Sequence, residues 1–552
     1  RLSQAVALDA THKEAAALAA TYFASRRPDD RLGGIELTSN LLLADPVDPN
    51  VHFAMASELA KVGAFDAANR FHRNGRQLLS SNAARANDEG LQIERLILSW
   101  QLEGPEVAHK EILDQLALAR YNQSVQLDQM VRAGVPTTDA VAPEDIRLGL
   151  STERVRLLAA DAMGDRTAVA ESIADYARSV ERQVSTLQDR TRRPAWMTEQ
   201  DVTQQLITIV VERFIVHAWT GVGIEDMINQ MREMQMLENL QLPVLRAWLA
   251  LYRETPLIAE ARFEALLGEH PLARLGMGLA REKAGDAPGA VAHYRRVAED
   301  FPLSVAAAWT RSRSLQLTGE DISVSDLTSR ANALAAQAPQ WLDRIVTDPT
   351  SFMGLTVKAD RATYGPLDPV RLSITLRNRS PIALGVGADR PLNSRMLISP
   401  ELDLGWIGGN SSRQQLTPEV LDMHRRFRLP ARSEFTVTVW AEPGFSGWLA
   451  ETAAGAAMRG RYRVFQGFEI RGGILAQGPM CLSAQSDQVL RTPLPGTDLP
   501  PSELAARIQS ADTSTLPEAI ALLRMRLVRP LVTDTPTDLA YAVSTLAERY
   551  AS

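Results

Sequence analysis

Few side chains in this sequence have the types and spacings that chemistry at a site requires. The eight histidines are dispersed, with no HExxH pattern and no close pair at metal-ligand spacing. The single cysteine, Cys481, lies in GPMCLSAQ without a nearby histidine, so it is interpreted as a buried strand residue. GFSGW, around Ser446, lacks the nucleophile elbow and is interpreted as strand, and GVG at 221–223 and 385–387 lacks the full GxGxxG. The sequence therefore predicts no catalytic residue, no metal site and no cofactor, and the chain is not expected to be an enzyme.

Two local patterns could instead form a surface for a partner. RTRRP clusters three arginines before a proline, and arginine pairs bidentately with carboxylates and phosphates; the alternative is ordinary solvated arginines. IEDMINQMREMQMLENLQL carries methionines at helical spacing, which favours packing between helices, with an adaptable peptide groove as the alternative. The candidate partner-binding residues are Arg190, Arg192, Arg193, Met227, Met231 and Met234.

Composition narrows the classes of function. Of the 552 residues, 45% are hydrophobic and 23% are charged, which is typical of a folded globular chain. The formal net charge of -7 disfavours a general nucleic-acid binder, so nucleic acid is not expected among the partners. No apolar run is long enough to span a membrane, although an anchor could precede Arg1.

A repeat dominates the middle of the chain. AEARFEALLGEHP (259–271) and GAVAHYRRVAEDFP (289–302) align at an offset of 31 residues, and repeats of this length are typical of stacked helix pairs. Small residues would let the two helices approach, a glycine would end the first helix, an aromatic ring would fill the space between units, and a proline would end the second helix. The candidate repeat-structural residues are Gly278, Gly285, Ala290, Tyr294, Pro302, Ala259, Phe263 and Pro271.

These residues in this order resemble the tetratricopeptide repeat (TPR) family. The sequence departs from the family pattern at Arg274, where the family has an early tryptophan, and in its 31-residue offset, where the family has 34. The resemblance implies an all-α superhelix of TPR-like repeats over residues 1–340. It also implies a concave surface that holds another polypeptide.

The pattern changes after Trp341. Following a linker at 341–352, VRLSITLRN and FTVTVW alternate apolar and polar residues, the period of half-buried strands. Short strands separated by turns predict an antiparallel β-sandwich over 353–490, which is similar in texture to immunoglobulin-like domains of bacterial envelope proteins. A proline-rich linker at 491–503 then precedes a small helical domain over 504–552.

The sequence as a whole favours a noncatalytic scaffold that assembles a protein partner or the subunits of a larger complex, with a bacterial cell envelope or periplasm as its expected location. One alternative is that the β-sandwich binds carbohydrate or another envelope polymer through Trp406, Trp440 and Trp448. Another is that the chain is the regulatory part of a longer enzyme whose catalytic domain lies before Arg1.

Overall fold

The chain folds into two compact units. The first, the helical unit, comprises Arg1–Leu42 and Pro49–Pro339, and the second, the sheet unit, comprises Leu43–Asp48 and Gln340–Ser552. The computed structural model describes residues 4, 12–26, 30–79, 88–135, 141–194, 196–233, 242–268, 270–322, 325–387, 392–403, 413–422, 427–471, 474–531 and 534–551.

Helices follow one another from Lys13 to Ala336. Their bounds are α1 Lys13–Arg26, α2 Arg31–Ala44, α3 Pro49–Ala60, α4 Phe65–Leu79, α5 Glu89–Glu103, α6 Pro105–Arg132, α7 Leu150–Met163, α8 Arg166–Gln188, α9 Glu199–Thr220, α10 Ile224–Glu233, α11 Pro243–Arg253, α12 Pro256–Glu264, α13 Ala273–Lys283, α14 Ala287–Asp300, α15 Val305–Thr318 and α16 Asp326–Ala336.

Local chemistry sets where these helices begin and end. Asp165 caps α8 by accepting hydrogen bonds from the backbone N–H groups of Thr167 and Ala168, and Thr198 caps α9 through a capping box with Asp201. Several helices end before a glycine with positive φ, because a residue without Cβ adopts the left-handed conformation at no steric cost. The caps give short, sharply bounded helices that can fold back on one another.

Glycines let consecutive helices pack closely in the repeat region. A Cβ on Gly276 of α13 would lie 2.3 Å from Cε1 of Phe263 in α12, and a Cβ on Gly278 would lie 2.3 Å from Cε1 of Tyr294 in α14. Both rings are fully buried. The Tyr294 ring therefore packs directly on the α13 backbone, because Gly278 has no side chain there.

The sheet unit contains antiparallel strands followed by helices. The strands are β1 Met353–Ala359, β2 Thr363–Tyr364, β3 Arg371–Asn378, β4 Leu384–Val386, β5 Arg395–Asp403, β6 Arg413–Gln415, β7 Glu419–Asp422, β8 Phe427–Leu429, β9 Glu434–Trp440, β10 Met458–Arg471, β11 Ile474–Gln485 and β12 Val489–Arg491. The helices are α17 Phe445–Thr452, α18 Pro501–Ser510, α19 Leu516–Val528 and α20 Pro536–Ala551.

The strands form sheets in which neighbouring strands are mostly antiparallel. One sheet has the order β1-β3-β9, with Ile374 of β3 paired to Val357 and to Val437. A larger sheet has the order β2-β12-β10-β5-β6, with β11 paired to β10 and β7 to β5. Leu372 and Ile374 are buried while Arg371 is exposed, so the alternation predicted for this strand is present. The order of helices followed by antiparallel sheets is confirmed.

The helices at the end of the chain pack into the sheet unit. Leu494, in the segment predicted to be a proline-rich linker, is buried with Ala454 against α18 and α19.

A buried ion pair joins Arg491 to Glu442 at 2.5 Å, and the Tyr462 hydroxyl donates to the same glutamate. Burial raises the pKa of Glu442, while Arg491 favours its charged form.

Gly278→Ala should destabilise the helical unit. The added methyl group would overlap the buried ring of Tyr294, and overpacking of this kind costs about 1–3 kcal/mol. The matched control is Gly34→Ala in α2, where the new Cβ would meet only the flexible carboxylate of Glu58, at 3.3 Å. We expect that control to be neutral or to stabilise by up to about 1 kcal/mol, through helix propensity. Urea unfolding followed by far-ultraviolet circular dichroism tests both; equal effects would contradict the contact.

Candidate ligand cleft

A cleft of about 540 Å³ lies in the helical unit where the C-terminal ends of α7, α9, α11 and α13 converge beside α15. Carbonyl groups at helix C-termini carry partial negative charge, and the four such ends outnumber the one helix N-terminus in the lining, that of α8 at Arg166. The lining side chains used below are Asp161, Trp219, Tyr252, Glu282, Trp309 and Arg313.

The polar lining follows from the way the helices end. Each of three polar residues stands three positions before a glycine whose φ lies between +71° and +79°, so each is in the last turn of its helix. Because these helices end at the same side of the hairpins, their last turns face one cleft. The pairs are Asp161–Gly164, Glu282–Gly285 and Gln316–Gly319.

Asp161 is the central polar group of the cleft. Its Oδ2 accepts a hydrogen bond of 2.8 Å from Nε1 of Trp309. Burial raises the pKa of this carboxyl, although the Trp309 hydrogen bond and the charge of Arg313 act in the opposite direction. Within the described residues Asp161 forms no ion pair, so its negative charge has no direct counter-ion.

Two edge-to-face contacts hold the Trp309 ring in place. Its centroid lies 5.3 Å from that of Trp219, at an interplanar angle of 82°, and 5.8 Å from that of Tyr294, at 88°. Aromatic rings favour this geometry because the edge of one ring is positive and the face of the other is negative. Trp309 therefore positions Asp161 and is itself positioned by aromatic rings from α9 and α14.

Unlike Asp161, Glu282 has both an ion-pair partner, Arg313, and a second hydrogen-bond donor, Tyr294. Arg313 donates to both of its carboxylate oxygens, with Nε 3.1 Å from Oε1, and the buried Tyr294 hydroxyl donates to Oε2 at 2.9 Å. The Glu282 hydrogen bond raises the pKa of Arg313. The charges of this pair compensate each other and leave Asp161 as the unpaired carboxyl of the cleft.

Two further cations lie in the lining. Lys283 Nζ lies 3.4 Å from the centroid of the Tyr252 ring and donates to the Leu251 carbonyl at 3.1 Å. Burial lowers the pKa of Lys283, and it raises the pKa of Tyr252 to about 12. Arg166, at the first turn of α8, is exposed. The charge of Arg166, like that of Arg313, acts on Asp161 and favours its ionised form.

The arginines predicted to bind a partner are instead paired with acidic neighbours. Arg190 and Arg193 both donate to Glu199, at 2.9 Å and 2.6 Å, and Nε of Arg192 lies 3.3 Å from Oδ2 of Asp189. The hydrogen bond from Arg193 lowers the pKa of Glu199 to about 2. These arginines are not among the lining residues of the cleft.

The two methionines of this row that the structure describes lie in the core. Met227 and Met231 of α10 are buried against the helices of the first unit. Met234 lies outside the described residues. Neither Met227 nor Met231 lines the cleft.

The repeat-structural residues occupy the hairpins beside the cleft. Gly285 has φ of +79° directly after the end of α13, and Pro302 is buried just after α14. Ala259 and Ala290 are buried in the same core as the two aromatic rings. Pro271 is exposed in the turn before α13.

Of the candidate residues of the sheet unit, Ser446 has surroundings that differ from those expected, and Cys481 lies in a strand as expected. Trp440 and Trp448 are exposed, and Trp406 lies outside the described residues. Ser446 lies in α17 and not in a strand, because the Glu419 carboxylate accepts from its backbone N–H, at 2.8 Å, at the start of that helix. Cys481 lies in β11, and burial raises its pKa to about 11, which keeps the thiol protonated.

Reasoning from sequence missed the three residues that define the cleft. Asp161, Glu282 and Trp309 are separated by up to 148 positions, and no motif links them. A signal was present in the polar residues three positions before Gly164 and Gly285. That signal becomes useful only when it is known which helix ends share a side of the fold.

Neither a metal centre nor a membrane span is found in the described part of the chain. No group of three histidine, cysteine, aspartate or glutamate side chains there is arranged to hold a metal ion. None of its helices has both the length and the apolar character needed to cross a bilayer.

Comparison with known proteins finds a structural neighbour and no family. No protein-family model and no curated protein matches the chain. The chain is similar to the solved structure of Pseudomonas fluorescens alkylpurine DNA glycosylase AlkC bound to DNA containing an abasic site analog. The sequence identity is 10% and the TM-score is 0.15, and the match covers 79% of this chain and 99% of that chain.

This neighbour contradicts three expectations drawn from the sequence. It is an enzyme and it is bound to DNA, whereas the chain was expected to be a noncatalytic protein scaffold, not an enzyme, and without nucleic acid among its partners. Those expectations are withdrawn. At this TM-score the likeness carries no argument about the activity of the chain itself, so the function proposed below is derived from the cleft alone.

Asp161→Asn should change how stability depends on pH. Because the pKa of Asp161 is raised in the folded state, the folded protein holds this proton more tightly than the unfolded chain. The resulting stabilisation is present below the ordinary aspartate pKa and is lost as the pH rises through the folded-state pKa. The asparagine has no such proton and keeps an oxygen for the Trp309 N–H. The unfolding free energy of the wild type, relative to Asp161→Asn, should therefore fall as the pH rises.

Urea unfolding of both proteins between pH 4 and pH 8 measures this difference. Asp300→Asn, which removes a carboxylate that lies 3.4 Å from Arg274 outside the cleft, is the matched control. A wild-type advantage that grows with pH would contradict a raised pKa at Asp161.

Proposed function

We propose that the helical unit binds a small organic cation in the cleft, with the Asp161 carboxylate as its counter-ion. The observation that carries the proposal is a half-buried carboxyl, held by an indole N–H, that lacks an ion-pair partner among the described residues. Placing a charge in such surroundings is costly unless an opposite charge joins it. A ligand cation would supply that charge.

The surroundings of Asp161 favour a cation over an anion. The C-terminal ends of four helices and the N-terminal end of α8 line the cleft. The four carbonyl ends outnumber the single N–H end, so the helix dipoles on balance attract positive charge. Trp219 and Tyr252 line the cleft, and aromatic rings attract ammonium and amidinium groups. Tyr252 already makes this type of contact with Lys283.

The same lining limits the ligand to a single positive charge. Lys283 and Arg166 would repel a second charge, and Arg313 is already neutralised by Glu282. A volume of about 540 Å³ fits a compact molecule. A ring that carries one protonated amine or amidine matches these constraints.

We also propose that the hairpins around the cleft are TPR-like repeats within the first 340 residues. The positions of Phe263 and Tyr294 support this proposal, since the two rings stand at the 31-residue offset of the repeat and each packs on a glycine of α13. The left-handed Gly285 between α13 and α14 supports it as well.

For the sheet unit we propose a β-sandwich over residues 353–490. In the sheet of β1, β3 and β9, strand β3 alternates buried and less buried positions, and in the larger sheet β10 does so over 458–464, as two packed layers require. Under this proposal the segments 341–352 and 491–503 connect the sandwich to its neighbours.

Benzylammonium is a suitable probe for the cleft. We expect it to bind the full chain more tightly than its uncharged analogue benzyl alcohol or the anion benzoate, as measured by isothermal titration calorimetry. Asp161→Asn should weaken binding by about 10- to 100-fold, the loss expected for a charge-assisted hydrogen bond of about 1.5–3 kcal/mol. Asp300→Asn should leave it unchanged. Equal affinity for the alcohol, or an unaffected Asp161→Asn protein, would contradict the proposal.

The affinity for benzylammonium should fall on mild acidification. Cation binding needs ionised Asp161, and burial raises its pKa, so protonation begins to compete at a higher pH than for an ordinary aspartate. Binding should also release a proton in the pH range where Asp161 titrates, which appears in calorimetry as a dependence of the enthalpy on the buffer. The Asp161→Asn protein should lose both effects.

A second candidate function, proton donation to a bound substrate, is favoured by the same raised pKa. It requires a protonated Asp161 and therefore an uncharged or anionic ligand. Benzoate that binds more tightly as the pH falls, together with no binding of benzylammonium, would favour this function over cation binding.

A further inference from the structure

A second, larger cavity lies in the helical unit, on the other side of Trp219. It has a volume of about 770 Å³ and is lined by α5, α7, α9 and the first turns of α11 and α15. Trp219 contributes to the lining of both the cavity and the cleft. The helices α11, α13 and α15 connect the cavity and the cleft. Residues at or just before their N-terminal ends line the cavity, and residues of their later turns line the cleft.

The cavity wall is mainly aliphatic. Six half-buried residues pack on the core with one side and face the cavity with the other; they are Ile93, Val211, Leu242, Val244, Leu272 and Val305. Apolar surface of this extent remains in contact with water unless something fills the space. The wall therefore favours a molecule that is itself apolar.

The few polar groups of the wall provide no net charge. Arg154 and Glu212 lie 3.5 Å apart and compensate each other. Burial lowers the pKa of His270, whose Nδ1 accepts the backbone N–H of Leu272 at 3.2 Å, so its ring is neutral at physiological pH. A charged ligand would lose its hydration on entering the cavity and would find no opposite charge there. This desolvation cost disfavours charged ligands.

Trp219 adds one specific feature. Its side chain is about 5% exposed, and its indole Nε1 has no hydrogen-bond partner within the described structure. Buried donors are normally satisfied, and an unsatisfied one indicates a place where an acceptor is missing. A ligand that carries one acceptor group would satisfy it.

We propose that this cavity binds an uncharged, mainly hydrocarbon molecule with one hydrogen-bond acceptor, such as an alkyl ester. The proposal is independent of cation binding in the cleft. It rests on the aliphatic wall, on the self-compensated Arg154–Glu212 pair and on the unpartnered indole N–H of Trp219.

N-phenyl-1-naphthylamine, an uncharged probe that fluoresces in apolar surroundings, tests the cavity. We expect saturable fluorescence with the full chain, and displacement by methyl decanoate at a concentration at least about tenfold lower than by decanoate or decyltrimethylammonium. Trp219→Phe should weaken methyl decanoate several-fold more than the probe, because only the ester loses an acceptor contact. Equal displacement by the charged and uncharged chains would overturn the proposal, as would the absence of saturable fluorescence.

Thr208→Trp provides the structural control. Thr208 is exposed on α9 and lines the cavity, so the larger side chain should fill part of it and weaken the probe by about tenfold. Thr203→Trp, exposed on the same helix but outside the lining, should not. If circular dichroism reports misfolding of Thr208→Trp, Gln204→Trp replaces it, since Gln204 is also exposed and also lines the cavity.

Asp161→Asn separates this proposal from the function proposed for the cleft. It should leave the affinity for N-phenyl-1-naphthylamine unchanged while it weakens benzylammonium binding. Binding of an amphipathic helical peptide without binding of methyl decanoate would assign the cavity to a protein partner and overturn the proposal. Identical probe affinities of the Thr208→Trp and Thr203→Trp proteins would also overturn it.

Discussion

The missing side chain at Gly278 is the constraint from which the cleft follows. It lets the Tyr294 ring lie on the α13 backbone, where any Cβ would come within 2.3 Å of a ring carbon. From that position the Tyr294 hydroxyl binds Glu282, and the ring packs edge to face on Trp309. Trp309 in turn holds Asp161 through its indole N–H. One close approach between two helices therefore sets the positions of both carboxyl groups.

The two ends of the helical hairpins have different chemistry. Where the helices end, carbonyl dipoles, two carboxyls and three cations surround a polar cleft. Where they begin, aliphatic side chains surround a larger and mainly apolar cavity. Trp219 belongs to both because its large ring spans the layer between them. A hairpin array of this kind can offer two chemically distinct sites without any additional domain.

Much of the local structure was predictable from the sequence. The strand alternation in VRLSITLRN is present in β3, because a half-buried strand imposes a period of two on its residues. Gly285 ends α13 as expected, since the left-handed conformation needs a residue without Cβ. GFSGW was predicted wrongly, because a carboxylate from Glu419, 27 positions earlier, caps the helix that begins there. Caps supplied by distant residues leave no local signal.

The sequence by itself determined the helices and the alternating strands, because each depends on residues within a few positions of one another. The tertiary structure alone decided which polar residues meet. Asp161 and Trp309 are 148 positions apart in the chain, yet they share a hydrogen bond. It also decided that Asp161 lacks a counter-ion while Glu282 has one, and that Arg190 and Arg193 share Glu199. Charge compensation and burial are properties of three-dimensional neighbours, and a linear pattern does not contain them.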